Sequence, residues 1–461
     1  MSDQYDRRGF LKTAAAAGMG LTLGANGACA SATRPGSVLA APAATTPFAA
    51  PPLDTVRTGF IGVGNRGPTH VRNLLRLEGV EVRAICDLVP GKVARAQQMV
   101  TEAGQPQPTG YSRGPEHYRR MCEQEDLDLV VISTPWEWHA PMAVAAMENG
   151  KHAAVEIPMG ITIEECWQMV ETSERTGRHC VILENCCYDR TELMILNMVR
   201  QNLLGELLHA ECGYLHDLRE LKLTDYYEGR WRVKHSITTN GDLYPNHGLG
   251  PVAWWLNINR GNQFDHLVSM STKSRGLQLW AAEHIGPDSA EARQHYAHGD
   301  VVNTLIRTTH GETILITHDT DTPRPYSRKI LLQGTNGLVR KYPEQKIHIE
   351  GRSPEHRWEE LDTYQAAYEH PLWTALEERA RGGGHGGMDY IMAFRLIQSL
   401  REGTPTDLDV YDGAAWSAVV DLSGQSIAAR SRSVDVPDFT RGAWRNRPPL
   451  EINEPQPRRP A

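Results

Sequence analysis

The chain predicts an α/β protein with two sheets, a parallel doubly wound one followed by a mostly antiparallel one. Three observations predict it. From residue 57 to about 184, short apolar runs alternate with helical stretches, the pattern of a parallel sheet with crossover helices. The first run, Thr58-Gly59-Phe60-Ile61, leads straight into Gly62-Val63-Gly64-Asn65-Arg66-Gly67, a G-x-G-x-x-G turn. Farther on, the runs lengthen and take period two, as strands do when one face meets a core.

The glycine turn can set a pyrophosphate against the N-terminus of the next helix, with backbone amides around Asn65 and Arg66 facing it. The second strand spans 80–86 and is closed by Asp87, which stands 20 residues after Gly67. A dinucleotide fingerprint places its ribose-binding acid there. The charge of Asp87 repels a 2′-phosphate and so favours NAD over NADP. A buried strand over 127–133, a helix over 141–149, a strand over 152–155, a helix over 163–176 and a last strand over 179–183 complete the first sheet. Trp136 and His139 lie on a loop after a strand's C-terminal end, and Glu156 and Asn185 at similar strand ends. Ligands of open α/β sheets bind at such ends.

After a helix over 191–203 come strand-like runs over 208–215, 266–274, 301–309 and 312–319. His310-Gly311 joins the last two as a hairpin. Two more, over 329–333 and 338–342, flank a turn at 334–337, and a helix over 412–430 packs near the domain junction. The expected divisions are a leader over 1–52, a nucleotide domain over 53–185, a substrate domain over 186–435, and a Pro/Arg-rich tail over 436–461 that is loosely held from about Arg445.

The leader carries a twin-arginine pattern, Arg7-Arg8-Gly9-Phe10-Leu11-Lys12, before an Ala/Gly-rich stretch too short and too glycine-rich to fill a bilayer. Ala28-Cys29-Ala30 and Leu39-Ala40-Ala41 are alternative cleavage sites. The expectation is export by the twin-arginine machinery to the periplasm or beyond, with no stable membrane anchor. That route carries folded proteins, which suits a chain that takes up its nucleotide in the cytoplasm. The net charge of −8 and the lack of a basic run argue against nucleic acid. Of eight cysteines, Cys29 lies in the leader, and the odd remainder shows no disulfide framework. Adjacent Cys186-Cys187 read as small buried residues or as a redox pair. No metal is expected, since His295-x-x-His298 has no partner ligands at useful spacing.

Thr134-Pro135, His139, Gly150-Lys151-His152 and Glu156-Ile157-Pro158 resemble the Gfo/Idh/MocA oxidoreductase-like family in order and spacing. Leu204-Gly205-Glu206-Leu207 resembles the start of that family's second domain, and Gly241-Asp242-Leu243-Tyr244-Pro245-Asn246-His247 its glycine-to-histidine active-site segment. The resemblance covers about residues 55–435 and implies a Rossmann domain, an open-faced α/β domain, a nicotinamide cofactor and a sugar substrate. One departure matters. Family dehydrogenases carry Glu-Lys-Pro, and here Ile157 replaces the lysine beside the substrate hydroxyl. Either the acid–base groups have moved, or net oxidation is not the task.

A closer resemblance favours the second alternative. Trp136-Glu137-Trp138-His139, Glu156-Ile157-Pro158, Glu184-Asn185-Cys186-Cys187-Tyr188, Gly229-Arg230-Trp231-Arg232 and Tyr244-Pro245-Asn246-His247-Gly248 are similar to the NAD-dependent glycoside hydrolases that act as α-N-acetylgalactosaminidases. Such enzymes are exceptions to the two-carboxylate scheme. The sugar is oxidised at C3, which acidifies the C2 proton. Loss of that proton expels the glycosidic oxygen from C1, water adds, and C3 is reduced again.

His247 is the first choice for proton transfer at C3 or C2 and Tyr188 the second. The resemblance gives Arg232, Tyr214, Tyr244 and Tyr326 to the sugar, and Tyr244 and Ile157 also to the cofactor. The substrate implied is a glycan ending in α-linked N-acetylgalactosamine, with a homodimer through the open sheet face. The alternatives are a periplasmic NAD-dependent sugar dehydrogenase and a non-catalytic sugar-binding relative.

Overall fold

The structure is a computed structural model and describes residues 48–226 and 228–452. The twin-arginine pattern and both cleavage sites lie outside the described residues. Among the described residues, no helix is long and apolar enough to cross a membrane.

The first sheet has six parallel strands: β1 (Val56–Ile61), β2 (Val80–Cys86), β3 (Thr109–Tyr111), β4 (Leu129–Ile132), β5 (His152–Val155) and β6 (Cys180–Ile182). Their order is β3-β2-β1-β4-β5-β6. The order reverses direction between β1 and β4, and a crevice opens there at the strands' C-terminal ends. Near-continuous burial along β4 and β5 fits strands covered by helices on both faces. The helix Ile163–Thr176 keeps the bounds expected from sequence, because both ends are chemically marked. Thr162 and Glu165 form a capping box, and Gly177 at φ 63° closes the C-terminus.

The second sheet has nine strands: β7 (Leu207–Leu215), β8 (Phe264–Ser271), β9 (Val302–Thr308), β10 (Thr313–Asp319), β11 (Leu331–Gly334), β12 (Gly337–Arg340), β13 (Lys346–Ile349), β14 (Glu359–Glu360) and β15 (Val434–Asp435). Their order is β14-β13-β12-β11-β7-β10-β9-β8-β15, and only β7 and β10 pair in parallel. On β9, alternate residues are buried and exposed, the period-two pattern expected of one covered face.

Two features go beyond the sequence expectation. Past the division near residue 185, the chain returns near its end to pack on helices of the first sheet. The helix Met388–Glu402 lies against Gly67–Leu75, and Val410–Ala428 bridges Ile163–Thr176 and β8. The tail is also not loosely held over 445–452. Arg447 pairs with Asp409, Arg200 donates to the carbonyl of Ile452 (3.3 Å), and the Ile452 side chain is buried. Apolar burial and a paired arginine outweigh the proline content there.

One helix without an evident sequence signal positions the site. Asn246–Trp255 contains Gly248, Gly250 and Pro251 and has no polar face. A Cβ at Gly248 would stand 2.4 Å from the backbone nitrogen of Gly213. The glycine therefore lets the helix lie directly on β7, which brings His247 beside Tyr214.

Candidate active site

A cleft of about 600 Å³ runs from the glycine turn, past the ends of β4, β5 and β6, to the face of β7. Its nucleotide end is lined by Gly62, Gly64, Asn65, Arg66, Asp87 and Ser133. Gly62 has φ +83°, and a Cβ on it would meet Ser133 O at 2.5 Å. A Cβ on Gly67 would meet Gly62 O at 2.1 Å. Only glycine fits either place. Asp87 closes the turn by accepting from Val63 N (2.9 Å) and Val89 N (2.9 Å). The hydroxyl of Ser133 lines the cleft with no partner among the described residues.

This cradle fits a dinucleotide. Glycines allow close approach, amides face the turn, and an acid stands at the end of β2. Gly67→Ala is expected to push the turn apart, lower NAD affinity about tenfold or more, and leave protein that purifies with little nucleotide. Nucleotide released on denaturation, measured by absorbance, checks this.

The middle of the cleft holds Trp136, His139, Glu156, Ile157 and Asn185. Both ring nitrogens of His139 face carbonyls, Pro158 O (2.7 Å) and Thr134 O (2.9 Å). His139 therefore ties two loops and gives the cleft a wall rather than a hydrogen bond. Glu156 is held by Arg66 Nε (2.7 Å) and His70 Nε2 (2.7 Å). Burial raises the Glu156 carboxyl, but Arg66 and His70 outweigh it and hold it well below its usual range. Ile157 is buried against the cleft with no group that moves a proton.

The far end is aromatic. Trp136 and Tyr244 stack at 5.8 Å, and Tyr214 lies 4.6 Å from Tyr244. The Arg232 guanidinium stands over Tyr244 (4.8 Å) and Trp136 (5.1 Å). Tyr326 is not among the residues that line the cleft, but its ring lies 5.1 Å from His216 and 6.1 Å from Tyr214, which do. The Tyr214 hydroxyl bonds His216 Nδ1 (3.0 Å), a histidine whose pKa is lowered by burial and by Arg232.

His247 projects from the first turn of its helix into this end. Its Nδ1 lies 2.9 Å and 3.1 Å from the two carboxylate oxygens of the fully buried Glu184. Cys186 Sγ is 3.3 Å from the same nitrogen. Nδ1–H thus donates to Glu184, and Nε2 is the nitrogen left for the cleft.

A second, more exposed histidine also has a carboxylate at Nδ1, with the Arg66 guanidinium 3.3 Å from the same nitrogen. His385 lines the cleft, and its Nδ1 lies 2.8 Å from Asp389 Oδ2. Burial raises the Asp389 carboxyl, but its bonds to His385 and Arg66 hold it well below the ordinary value.

Tyr188 requires a correction. It is buried away from the cleft, its hydroxyl donates to Asp407 (3.1 Å), and its ring meets Trp254 edge-on at 5.3 Å. Within the short turn Asn185–Tyr188, Asn185 faces the cleft and Tyr188 turns into the core. The sequence pattern alone gave no role to Glu184, which appears there only within a motif, or to His385. Glu184 is an acid ending an apolar strand. His385 sits in Gly382-Gly383-Gly384-His385-Gly386-Gly387, a run whose composition was a visible signal.

Comparison with known proteins agrees with this architecture. Residues 56–183 match the model described as oxidoreductase family, NAD-binding Rossmann fold. Residues 188–446 match the model described as glycosyl hydrolase 109, C-terminal domain. A glycosyl hydrolase family 109 protein of Shewanella pealeana is 47% identical over 97% of this chain and 99% of its own length. One from Shewanella baltica is 47% identical over 97% and 98%.

Among solved structures, levoglucosan dehydrogenase in complex with NADH superposes with a TM-score of 0.64 at 20% identity, over 83% of this chain and 100% of its own. An NAD-binding oxidoreductase from Klebsiella pneumoniae gives 0.65 at 16%, over 84% and 100%. At those identities the likeness shows the fold. Two matching halves and full-length relatives show the rest: the cofactor is NAD, and the chain belongs to glycosyl hydrolase family 109.

Proposed function

We propose that this protein is an exported glycosidase that releases terminal α-linked N-acetylgalactosamine with no net oxidation. One observation carries the reading: the cleft replaces the dehydrogenase ammonium with Ile157 and holds two histidines, each fixed at Nδ1 by a carboxylate. A cycle of proton removal and return needs a base and an acid at different atoms of one sugar. His247, oriented by Glu184, moves the proton at the C3 hydroxyl or at C2. His385, oriented by Asp389, serves the glycosidic oxygen leaving C1.

Bound NAD supplies a hydride acceptor and then donor for sugar C3, so the redox change closes within each turnover. Arg232, in its aromatic box, and Tyr214, Tyr244 and Tyr326 bind the sugar's hydroxyls and apolar face. The 2-acetamido group and the α anomer rest on the motif resemblance. Export rests on Arg7-Arg8 and the leader that follows. A homodimer would use the outer face of the second sheet, where Met270 and Leu305 are exposed.

Purified protein, given p-nitrophenyl α-N-acetylgalactosaminide and no added cofactor, is expected to release nitrophenol with no rise in NADH absorbance. NADH accumulating on free sugars without release would instead support a dehydrogenase. Tight sugar binding without turnover would support a binding protein.

A further inference from the structure

Arg66 stands just before the last glycine of the dinucleotide turn, and its guanidinium is engaged by the protein itself. Nε donates to Glu156 Oε1 (2.7 Å). Nη1 and Nη2 form a fork on the Asp389 carboxylate at 2.6 Å and 3.0 Å, and Nη1 also lies 3.3 Å from His385 Nδ1. Asp389 is wholly buried and is a hub. Besides Arg66 it accepts from Asn185 Nδ2 (2.6 Å) and pairs with His385 Nδ1 (2.8 Å).

Asp389 opens the helix Met388–Glu402, immediately after the loop 382–387. That loop is glycine except for His385. Gly382, Gly384, Gly386 and Gly387 have positive φ, and His385 has φ 42°. A segment with so few side chains has little packing of its own and loses much backbone freedom when it orders. Its order therefore depends on a few anchors. Asn73 Nδ2 donates to Gly383 O (2.8 Å), and a Cβ at Gly384 would stand 2.4 Å from Asp389 Oδ2. The loop lies directly on the hub.

We propose that Arg66 is a positioning residue that couples the dinucleotide turn to the glycine loop: through Asp389 it sets where His385 stands over the cleft. The kinetic consequence rests on the glycosidase reading above; the structural consequence does not. A lysine cannot reproduce the planar fork on Asp389 and the third bond to Glu156 together.

The test uses NAD-loaded full-length Arg66→Lys and Arg66→Gln, with Asp389→Asn as a second site. In hydrogen–deuterium exchange, amides of 383–390 are expected to exchange about tenfold faster than in wild type, with the two sheets unchanged. Bound NAD, measured after denaturation, should stay near wild type, because the pyrophosphate faces backbone amides. Hydrolysis of an alkyl N-acetylgalactosaminide, whose leaving group needs an acid, should fall about a hundredfold. Hydrolysis of the dinitrophenyl glycoside, whose leaving group does not, should fall less than about fivefold.

Unchanged exchange in the loop, equal loss on both leaving groups, or loss of NAD in step with loss of rate would each overturn the proposal. If the wild type hydrolyses neither glycoside, the glycosidase reading fails, and exchange alone decides the coupling.

Discussion

His247→Ala is expected to slow glycoside hydrolysis about a thousandfold or more while the protein keeps its NAD. Such a loss corresponds to about 4 kcal/mol of transition-state stabilisation. His247 lines the cleft between Tyr214 (5.5 Å) and Tyr244 (5.1 Å), at the aromatic end where a sugar is expected to stack. Its Nδ1 is bound to Glu184, so Nε2 is the nitrogen presented to the ligand. The dinucleotide cradle of Gly62, Gly67 and Asp87 does not involve this side chain. Nucleotide content should therefore stay near wild type. A variant with near-normal kcat would remove His247 from the chemistry.

Glu184→Gln is expected to cost about a hundredfold or more in kcat without unfolding the chain. The substitution keeps size and keeps an oxygen for Cys186 N, which now donates to Glu184 Oε1 at 2.8 Å. It also puts an amide donor beside His247 Nδ1. The ring then takes the tautomer with its proton on Nε2, and the nitrogen facing the cleft no longer accepts one. Glu184 is fully buried, so no water replaces the lost acceptor. Unlike His247→Ala, this variant keeps the imidazole, so KM should change little while kcat falls. A parallel rise in KM with unchanged kcat would point to a binding role instead.

Much of the architecture could be read from local chemistry. The glycine turn, Asp87 and the capped helix Ile163–Thr176 are each set by neighbours in sequence, so their signals are short-range. The second sheet was readable through period two, but its order was not. The parallel pairing of β7 with β10 joins strands about a hundred residues apart.

The site divides along the same line. Trp136, Glu156, Ile157, Asn185, Tyr214, Arg232, Tyr244 and His247 all line one cleft. Tyr188 does not, because a single short turn decides which neighbour faces the cleft, and composition does not encode that rotation. His385 and Asp389 were missed because they come from a segment more than three hundred residues beyond the glycine turn, brought back by the helix Met388–Glu402. The tail was misjudged because its anchors, Asp409 and the pocket around Ile452, belong to distant parts of the core.

In the proposed cycle the sugar is oxidised and reduced within one turnover and loses its C2 proton in between. The direct measurement is hydrolysis of p-nitrophenyl α-N-acetylgalactosaminide in deuterated water, with the released sugar examined by proton NMR and mass spectrometry. Deuterium at C2 of the product, nitrophenol in equal amount and constant NADH absorbance are the expected result. A product that keeps its C2 hydrogen, released at full rate, would rule out the proposed cycle, because direct displacement at C1 leaves that proton untouched.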